Sequence, residues 1–99
     1  MRYFPIFLDL DGRDVLVAGG GEQAAQKVRL LLRTPARITV VAASFGPELI
    51  ALGVEGRIRL ERRAFEAADV AQKALVYAAT GSVAGNAPVV AAVNGKAEI

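Results

Sequence analysis

The chain has 99 residues, 54% of them hydrophobic, and a formal net charge of +2. This is the length of one domain with a modest core, and no apolar run approaches the roughly 20 residues that span a bilayer. The chain contains no Cys and no His, which excludes disulfides, thiolate metal sites, a Cys nucleophile and His acid–base catalysis. Its basic residues are scattered, so we expect no nucleic-acid partner, no membrane partner and a cytoplasmic location.

Short β-branched runs alternate with stretches rich in Ala and Leu, which is typical of βαβ units. Residues 3–8 are apolar but include Pro5, which predicts an edge strand or an extended arm. Residues 15–18 form a continuous apolar run, as in a strand that is buried on both faces. Apolar residues at helical spacing then predict a helix over 22–33, closed by Pro35.

The second half of the sequence repeats this alternation. It predicts a strand over 38–41, a short helix from Pro47 to about Gly53, and a half-exposed strand over 57–63 near a sheet edge. A weak helix over 66–73, a buried strand over 75–79 and a helix over 83–93 follow. Pro88 would fit the first turn of this last helix if it began near Asn86. We therefore predict a single α/β domain over 1–99: a Rossmann-type three-layer sandwich with a parallel sheet, incomplete at its C-terminus.

The strongest functional motif is Gly19-Gly20-Gly21-Glu22-Gln23-Ala24, which fits G-x-G-x-x-A between a predicted strand and a predicted helix. Gly19 permits a tight turn, Gly21 lets a pyrophosphate approach the backbone, and Ala24 lets the helix pack close to the strand. The unpaired N–H groups of the first helical turn attract the anion. We expect these six residues to bind a dinucleotide such as NAD; the alternative is a tight turn that binds nothing.

One feature of most NAD sites is missing. An acidic residue usually follows the glycines by roughly 20 positions and binds the ribose hydroxyls, but that region here reads Val41-Ala42-Ala43-Ser44. Ser44 or a backbone group can take its place. Arg37 would suggest NADP, but it precedes the strand instead of following it, so a surface role is favoured.

Thr80, Gly81 and Ser82 follow the strand predicted over 75–79. The carboxyl ends of strands are where open α/β sheets bind ligands, so Thr80 is a candidate for contact with cofactor or substrate. Thr80 or Ser82 could equally cap the next helix. The residues themselves leave both interpretations open.

Several segments resemble the N-terminal domain of siroheme synthase, which also occurs in stand-alone precorrin-2 dehydrogenases. They are Phe4-Pro5-Ile6-Phe7, Val15-Leu16-Val17-Ala18-Gly19-Gly20-Gly21, Lys27-Val28-Arg29-Leu30-Leu31-Leu32 and Ala36-Arg37-Ile38-Thr39-Val40-Val41-Ala42. Ala78-Ala79-Thr80 and Asn86 are similar to a later segment of the same family. The resemblance therefore runs nearly from end to end.

The resemblance implies NAD-dependent oxidation of precorrin-2 to sirohydrochlorin, followed in full-length members by iron insertion to give siroheme. It also implies a homodimer. Carried over position by position, it implies cofactor contacts at Gly21, Glu22 and Gln23, at Ala43 and Ser44, and at Thr80. The tetrapyrrole substrate is expected to bind only together with the family's C-terminal part.

Two departures from the family bear on activity. The family's aspartate pair after the threonine is Gly81-Ser82 here, and the sequence ends at Ile99, before the segment with the family's proposed catalytic aspartate. We therefore assign no catalytic residue and no metal ligand, and expect these residues alone to be inactive or nearly so. The alternatives are a non-catalytic dinucleotide-sensing module and a domain that keeps the fold but binds nothing. In this truncated form, the strand over 75–79 is expected to have an unpaired edge, through which the chain could associate.

Overall fold

The computed structural model describes residues 13–71, 73, 75–81 and 83–95. Its strands are β1 (Asp14–Ala18), β2 (Arg37–Ala42), β3 (Arg59–Arg62) and β4 (Leu75–Ala78), which form one parallel sheet in the order β3-β2-β1-β4. This confirms the predicted Rossmann-type α/β fold. The strand or arm predicted over residues 3–8 lies outside the described residues.

The strand order contains a switch point. The chain moves outward from β1 through β2 to β3, then returns to the other side of β1 to form β4. Open α/β sheets bind ligands in the crevice beyond the carboxyl ends of the strands where the order reverses. Here that crevice lies beyond the ends of β1 and β4.

Helices cover both faces of the sheet. On one face, α1 (Glu22–Leu31) and α2 (Pro47–Val54) pack against the sheet in the larger cluster of buried apolar residues. On the other face, Val89 of α3 (Val83–Gly95) packs against the sheet in a smaller cluster. The strand residues alternate between these clusters, as a two-sided parallel sheet requires. The predicted three layers are therefore confirmed.

Three element boundaries differ from the prediction. Helix α1 ends at Leu31, because the N–H of Arg33 donates to Leu30 O at 3.2 Å and the Thr34 hydroxyl donates to Leu31 O at 2.6 Å, which tightens the chain into a turn. Strand β3 is shorter than 57–63, although its edge position is confirmed. Helix α3 begins at Val83 as predicted but extends to Gly95, beyond the predicted end at 93; the alternative start near Asn86 is wrong, because Pro88 lies inside the helix and not in its first turn.

Two predictions about the last third of the chain are wrong. The weak helix over 66–73 is a single 3-10 turn, Ala67–Val70, and Ala71 then becomes extended with ψ of 133°. Val70 is the buried residue of this turn, so it lacks the apolar face that holds a longer helix on a core. Strand β4 is half-buried and not buried, because it lies at the edge of the sheet formed by the described strands.

Candidate functional site

A tight turn joins β1 to α1 and consists of Gly19, Gly20 and Gly21, called the glycine turn below. Gly19 has φ of +145°, and a Cβ there would lie 2.1 Å from Ala79 O. Its N–H donates to Val41 O at 2.9 Å. Only glycine fits this position, which confirms the role predicted for Gly19.

The other two glycines face different surroundings. A Cβ on Gly20 would lie 1.8 Å from Ser44 O, and the Gly20 carbonyl accepts a 2.8 Å hydrogen bond from the Gly46 N–H. Gly20 is therefore pressed against the loop after β2. A Cβ on Gly21, by contrast, would meet no described atom within 4 Å. Packing within the described chain does not require glycine at position 21, and its small size keeps space open at the start of α1.

Two helices begin next to this turn. Gly21 is the N-cap of α1 and Gly46 is the N-cap of α2, in each case without a side-chain cap. The first N–H groups of a helix lack intrahelical partners and carry partial positive charge. Two such helix starts side by side favour an anionic ligand.

An open cleft of about 720 Å³ extends from the glycine turn along the carboxyl edge of the sheet. This volume suits a small-molecule ligand. Its lining includes the predicted residues Ala43, Ser44 and Thr80 together with the glycine turn. The remaining lining residues are Ala18, Val41, Ala42, Phe45, Gly46, Ala64, Phe65, Gly85 and Pro88.

The other three residues of the predicted motif lie beside the cleft. Glu22 and Gln23 lie in the first turn of α1, and their side chains are exposed to solvent. Their backbone continues directly from the glycine turn. Ala24 is 0% exposed and packs in the larger core cluster. Its predicted role in close helix–strand packing is confirmed.

One arginine is hydrogen-bonded to the carboxylates at both helix starts. Arg29 donates to Glu22 Oε2 at 2.8 Å and to both carboxylate oxygens of Glu48, at 2.8 and 3.0 Å. These hydrogen bonds hold the pKa of the Glu48 carboxyl below its usual value. One guanidinium charge offsets one of the two carboxylate charges, so the cluster of Glu22, Glu48 and Arg29 keeps a net charge of −1, and none of the three residues lines the cleft.

Thr80 is positioned by Asn86 of α3. The Thr80 N–H and hydroxyl both donate to Asn86 Oδ1, at 2.9 and 2.6 Å. This holds the Thr80 side chain at the end of β4, on the wall of the cleft. Ser82 lies outside the described residues.

Sequence reasoning missed the aromatic walls of the cleft. Phe45 packs against one core cluster and Phe65 against the other, and both line the cleft. The guanidinium carbon of Arg62 lies 5.7 Å from the centre of the Phe45 ring. The only sequence signal was that each Phe follows closely after the end of a strand.

Arg37 lies at the opposite end of the sheet. Its Nε donates to Asp14 Oδ1 at 2.9 Å, and both residues stand at the beginning of paired strands. The predicted surface role of Arg37 is confirmed. Within the described ranges, no group of three or more acidic residues is placed to hold a metal ion, and no helix is long and apolar enough to cross a membrane.

The sequence matches a protein family described as "Putative NAD(P)-binding" over residues 6–98. The chain belongs to this family. The expectation of a nicotinamide dinucleotide cofactor and the resemblance to the siroheme synthase N-terminal domain are therefore confirmed at the level of the family.

Individual relatives of this NAD(P)-binding domain are siroheme synthases. Siroheme synthase 1 of Serratia proteamaculans is 51% identical over 89 residues, which cover 90% of this chain and 19% of that protein. The siroheme synthase of Methylococcus capsulatus is 45% identical, over 93% of this chain and 19% of that protein. The chain thus spans about a fifth of the length of these curated relatives.

A solved structure has the same fold. The precorrin-2 dehydrogenase SirC superimposes with a TM-score of 0.78 at 34% sequence identity, covering 85% of this chain and 42% of SirC. The predicted relation to siroheme biosynthesis is confirmed by these relatives. Each of these names belongs to a protein that is longer than the present chain.

Proposed function

We propose that the cleft binds a nicotinamide dinucleotide, with its pyrophosphate on the glycine turn and the first turn of α1. One observation carries this proposal. Gly19 and Gly20 are fixed as glycine by contacts with the chain itself, whereas Gly21 faces open space at a helix N-terminus. Close approach of a phosphate to the backbone gives a reason for glycine at position 21.

The neighbouring residues suggest how the rest of the ligand is held. The N–H groups of Glu22, Gln23 and Ala24, in the first turn of α1, would donate to the pyrophosphate. Ala43 and Ser44, after β2, lie where one ribose is expected in this fold. Thr80, across the switch point, would contact the other half of the dinucleotide.

We further propose that this domain serves the oxidation of precorrin-2 to sirohydrochlorin in the complete protein, as a cytoplasmic homodimer. The support is the relation to siroheme synthases and to the precorrin-2 dehydrogenase SirC. The bound dinucleotide would supply the hydride-accepting chemistry. The described residues supply binding and orientation, and the tetrapyrrole and iron chemistry is assigned to parts of the protein beyond this segment.

Calorimetric titration with NAD tests the proposal. The protein is expected to bind NAD with a Kd below about 1 mM, within the usual range for such ligands. Gly21→Asp places a carboxylate in the open space beside the helix start and should weaken binding at least about tenfold, since like charges repel in a partly enclosed site. Gln26→Glu adds the same charge on the exposed side of α1 and should leave binding unchanged.

Circular dichroism on both variants checks that they remain folded. Loss of NAD affinity in Gly21→Asp but not in Gln26→Glu would support the proposed pyrophosphate position. Equal affinities in wild type and Gly21→Asp would contradict it. Sirohydrochlorin formation by these 99 residues alone would contradict the expectation that the segment is inactive.

A further inference from the structure

A second cleft, of about 530 Å³, lies at the amino ends of the strands, opposite the glycine turn, and is called the amino-end cleft below. Three arginines and one aspartate belong to its lining, so the lining itself carries a net positive charge. They are Asp14, the first residue of β1, Arg37, the first of β2, Arg59, the first of β3, and Arg57. The arginines are scattered in the sequence, and the pairing of β2 with β3 brings them together.

Strand alternation places Arg37 and Arg59 on the sheet face that carries α3. Arg37 is followed by Ile38 and Arg59 is preceded by Ile58, and both isoleucines pack in the larger cluster beneath α1 and α2. On the face that carries α3, Val89 packs in the smaller cluster with the last residue of β1. The side chains of Arg37 and Arg59 remain 69% and 76% exposed, so the described helices leave the amino end of this face open.

Neighbouring carboxylates orient two of the guanidiniums without saturating them. Asp14 accepts the Nε–H of Arg37 at 2.9 Å, and Glu61, which lies outside the lining, accepts the Nε–H of Arg59 at 3.0 Å. The terminal nitrogens of both arginines make no hydrogen bond with any described residue. Each guanidinium therefore keeps its outer N–H groups for a ligand.

Arg57 has the least compensated charge of the three arginines. Glu55 approaches its guanidinium only to 4.0 Å, which is too far for a hydrogen bond, and Glu55 does not line the amino-end cleft. Arg57 and Arg59 are two residues apart, roughly 6.6 Å along an extended chain, and neighbouring strands are about 4.8 Å apart. The three arginines are therefore close enough for one small anion to reach more than one of them.

We propose that the amino-end cleft binds a small molecule with two adjoining phosphate groups. A guanidinium presents a planar fork of N–H donors that matches phosphate oxygens, and each phosphate carries several acceptors for it. Two phosphates in one molecule can engage two of the three arginines at once, which a single carboxylate cannot do. The site lies at the opposite end of the sheet from the glycine turn, so this inference goes beyond the proposed function and does not depend on it.

Calorimetric titration with inorganic pyrophosphate at low ionic strength tests the proposal. Since the glycine turn is itself proposed to bind a pyrophosphate group, every titration uses the Gly21→Asp variant, in which that site is expected to be blocked. This variant should still bind pyrophosphate saturably. Adding Arg57→Gln or Arg59→Gln should weaken the binding about tenfold each, because each change removes charge-assisted hydrogen bonds.

Arg62→Gln is the matched control. Arg62 lies on the same strand as Arg59 but on the opposite face, against the ring of Phe45, and does not line the amino-end cleft. Its replacement removes the same charge and should leave pyrophosphate affinity unchanged. Circular dichroism on each variant checks that the fold is retained.

Three results would overturn the proposal. They are no saturable binding to the Gly21→Asp variant, unchanged affinity after both Arg57→Gln and Arg59→Gln, and an equal loss of affinity in Arg62→Gln, which would indicate a general effect of net charge. Titration with ADP identifies the source of the phosphates. ADP that binds at least as tightly as pyrophosphate supports a nucleotide as the ligand, and weaker binding of ADP supports a free diphosphate.

Discussion

At the scale of single residues, the three adjacent glycines of the glycine turn have separable roles. A methyl group on Gly20 would collide with Ser44 O, whereas one on Gly21 would meet no described atom within 4 Å. We therefore expect Gly20→Ala to lower the free energy of unfolding by about 2 kcal/mol or more through overpacking. Gly21→Ala should cost about 1 kcal/mol or less, the usual difference between these residues at an N-cap.

The affinity for NAD should depend more strongly on Gly21 than on Gly20, which is the reverse of the order expected for stability. Gly21→Ala fills space proposed for the pyrophosphate, so it should weaken NAD binding about tenfold or more while the protein stays stable. Urea unfolding and NAD titration of both variants measure the two effects. A Gly21→Ala variant that loses stability as much as Gly20→Ala would show that position 21 is constrained by the chain and not by a ligand.

The sequence predicts those residues of the site whose constraints are local, and it does not predict those whose constraints come from distant parts of the chain. Gly19 could be assigned from sequence because its positive φ belongs to the local turn, although the Ala79 carbonyl that also excludes a side chain there is distant in sequence, and Ala24 because its burial follows from helical spacing. The constraint on Gly20 could not be predicted, because its partner Ser44 lies on the loop after β2 and reaches it only through the pairing of β1 with β2.

At the scale of elements, the 3-10 helix Ala67–Val70 is held by an acidic residue. Asp69 accepts a 2.7 Å hydrogen bond from the Glu66 N–H and pairs with both terminal nitrogens of Arg63, at 2.9 and 2.6 Å. The hydrogen bonds from Arg63 hold the pKa of the Asp69 carboxyl below its ordinary value of 3.8. The stabilisation is thus present above pH 3.8 and is lost as the pH falls through the lower pKa of the folded state.

Asp69→Asn should therefore remove a pH-dependent part of the stability. It should lower the free energy of unfolding by about 1 kcal/mol at neutral pH, the usual value of a capping contact, and this difference should shrink under acid conditions. Urea unfolding at neutral pH and at pH 3 or below measures it. Glu55→Gln is the control, because its carboxylate approaches Arg57 only to 4.0 Å; a similar loss there would exclude a specific role for Asp69.

Element prediction succeeded where periodicity was strong and failed where it was weak. Both α1 and α2 begin where the sequence predicted, because Gly21 and Pro47 mark their starts. The segment over 66–73 contains helix-forming residues, but the described ones bury only Val70, so the local cap decides its conformation.

At the scale of the whole molecule, alternation of strands and helices predicted a parallel sheet but not the order of its strands. That order brings the glycine turn and Thr80 to one cleft, although they are separated by most of the described chain. Right-handed crossovers limit the possible orders. The return of the chain from β3 to β4 nevertheless depends on contacts between residues distant in sequence, such as Val89 of α3 against Leu16 and Val41 on the second face, which no local pattern encodes.

The outer edge of β4 is a surface through which two chains could associate. Within the described part of the chain, β4 pairs with β1 on one side and with no described strand on the other. An unpaired edge promotes pairing with another chain, so we expect these 99 residues to associate and their melting temperature to rise over about two orders of magnitude in protein concentration. Sedimentation velocity and thermal melting at several concentrations measure this.

A proline on β4 tests whether that edge is responsible. Donor direction alternates along a strand, and the Ala79 N–H donates to Ala18 O at 2.9 Å, so the Ala78 N–H points away from β1. Ala78→Pro would remove a donor from the outer edge without removing a hydrogen bond to β1. It should abolish the concentration dependence while far-ultraviolet circular dichroism stays unchanged. A melting temperature that is high and independent of concentration in the wild type would contradict pairing through β4 and would indicate that the described sheet is stable on its own.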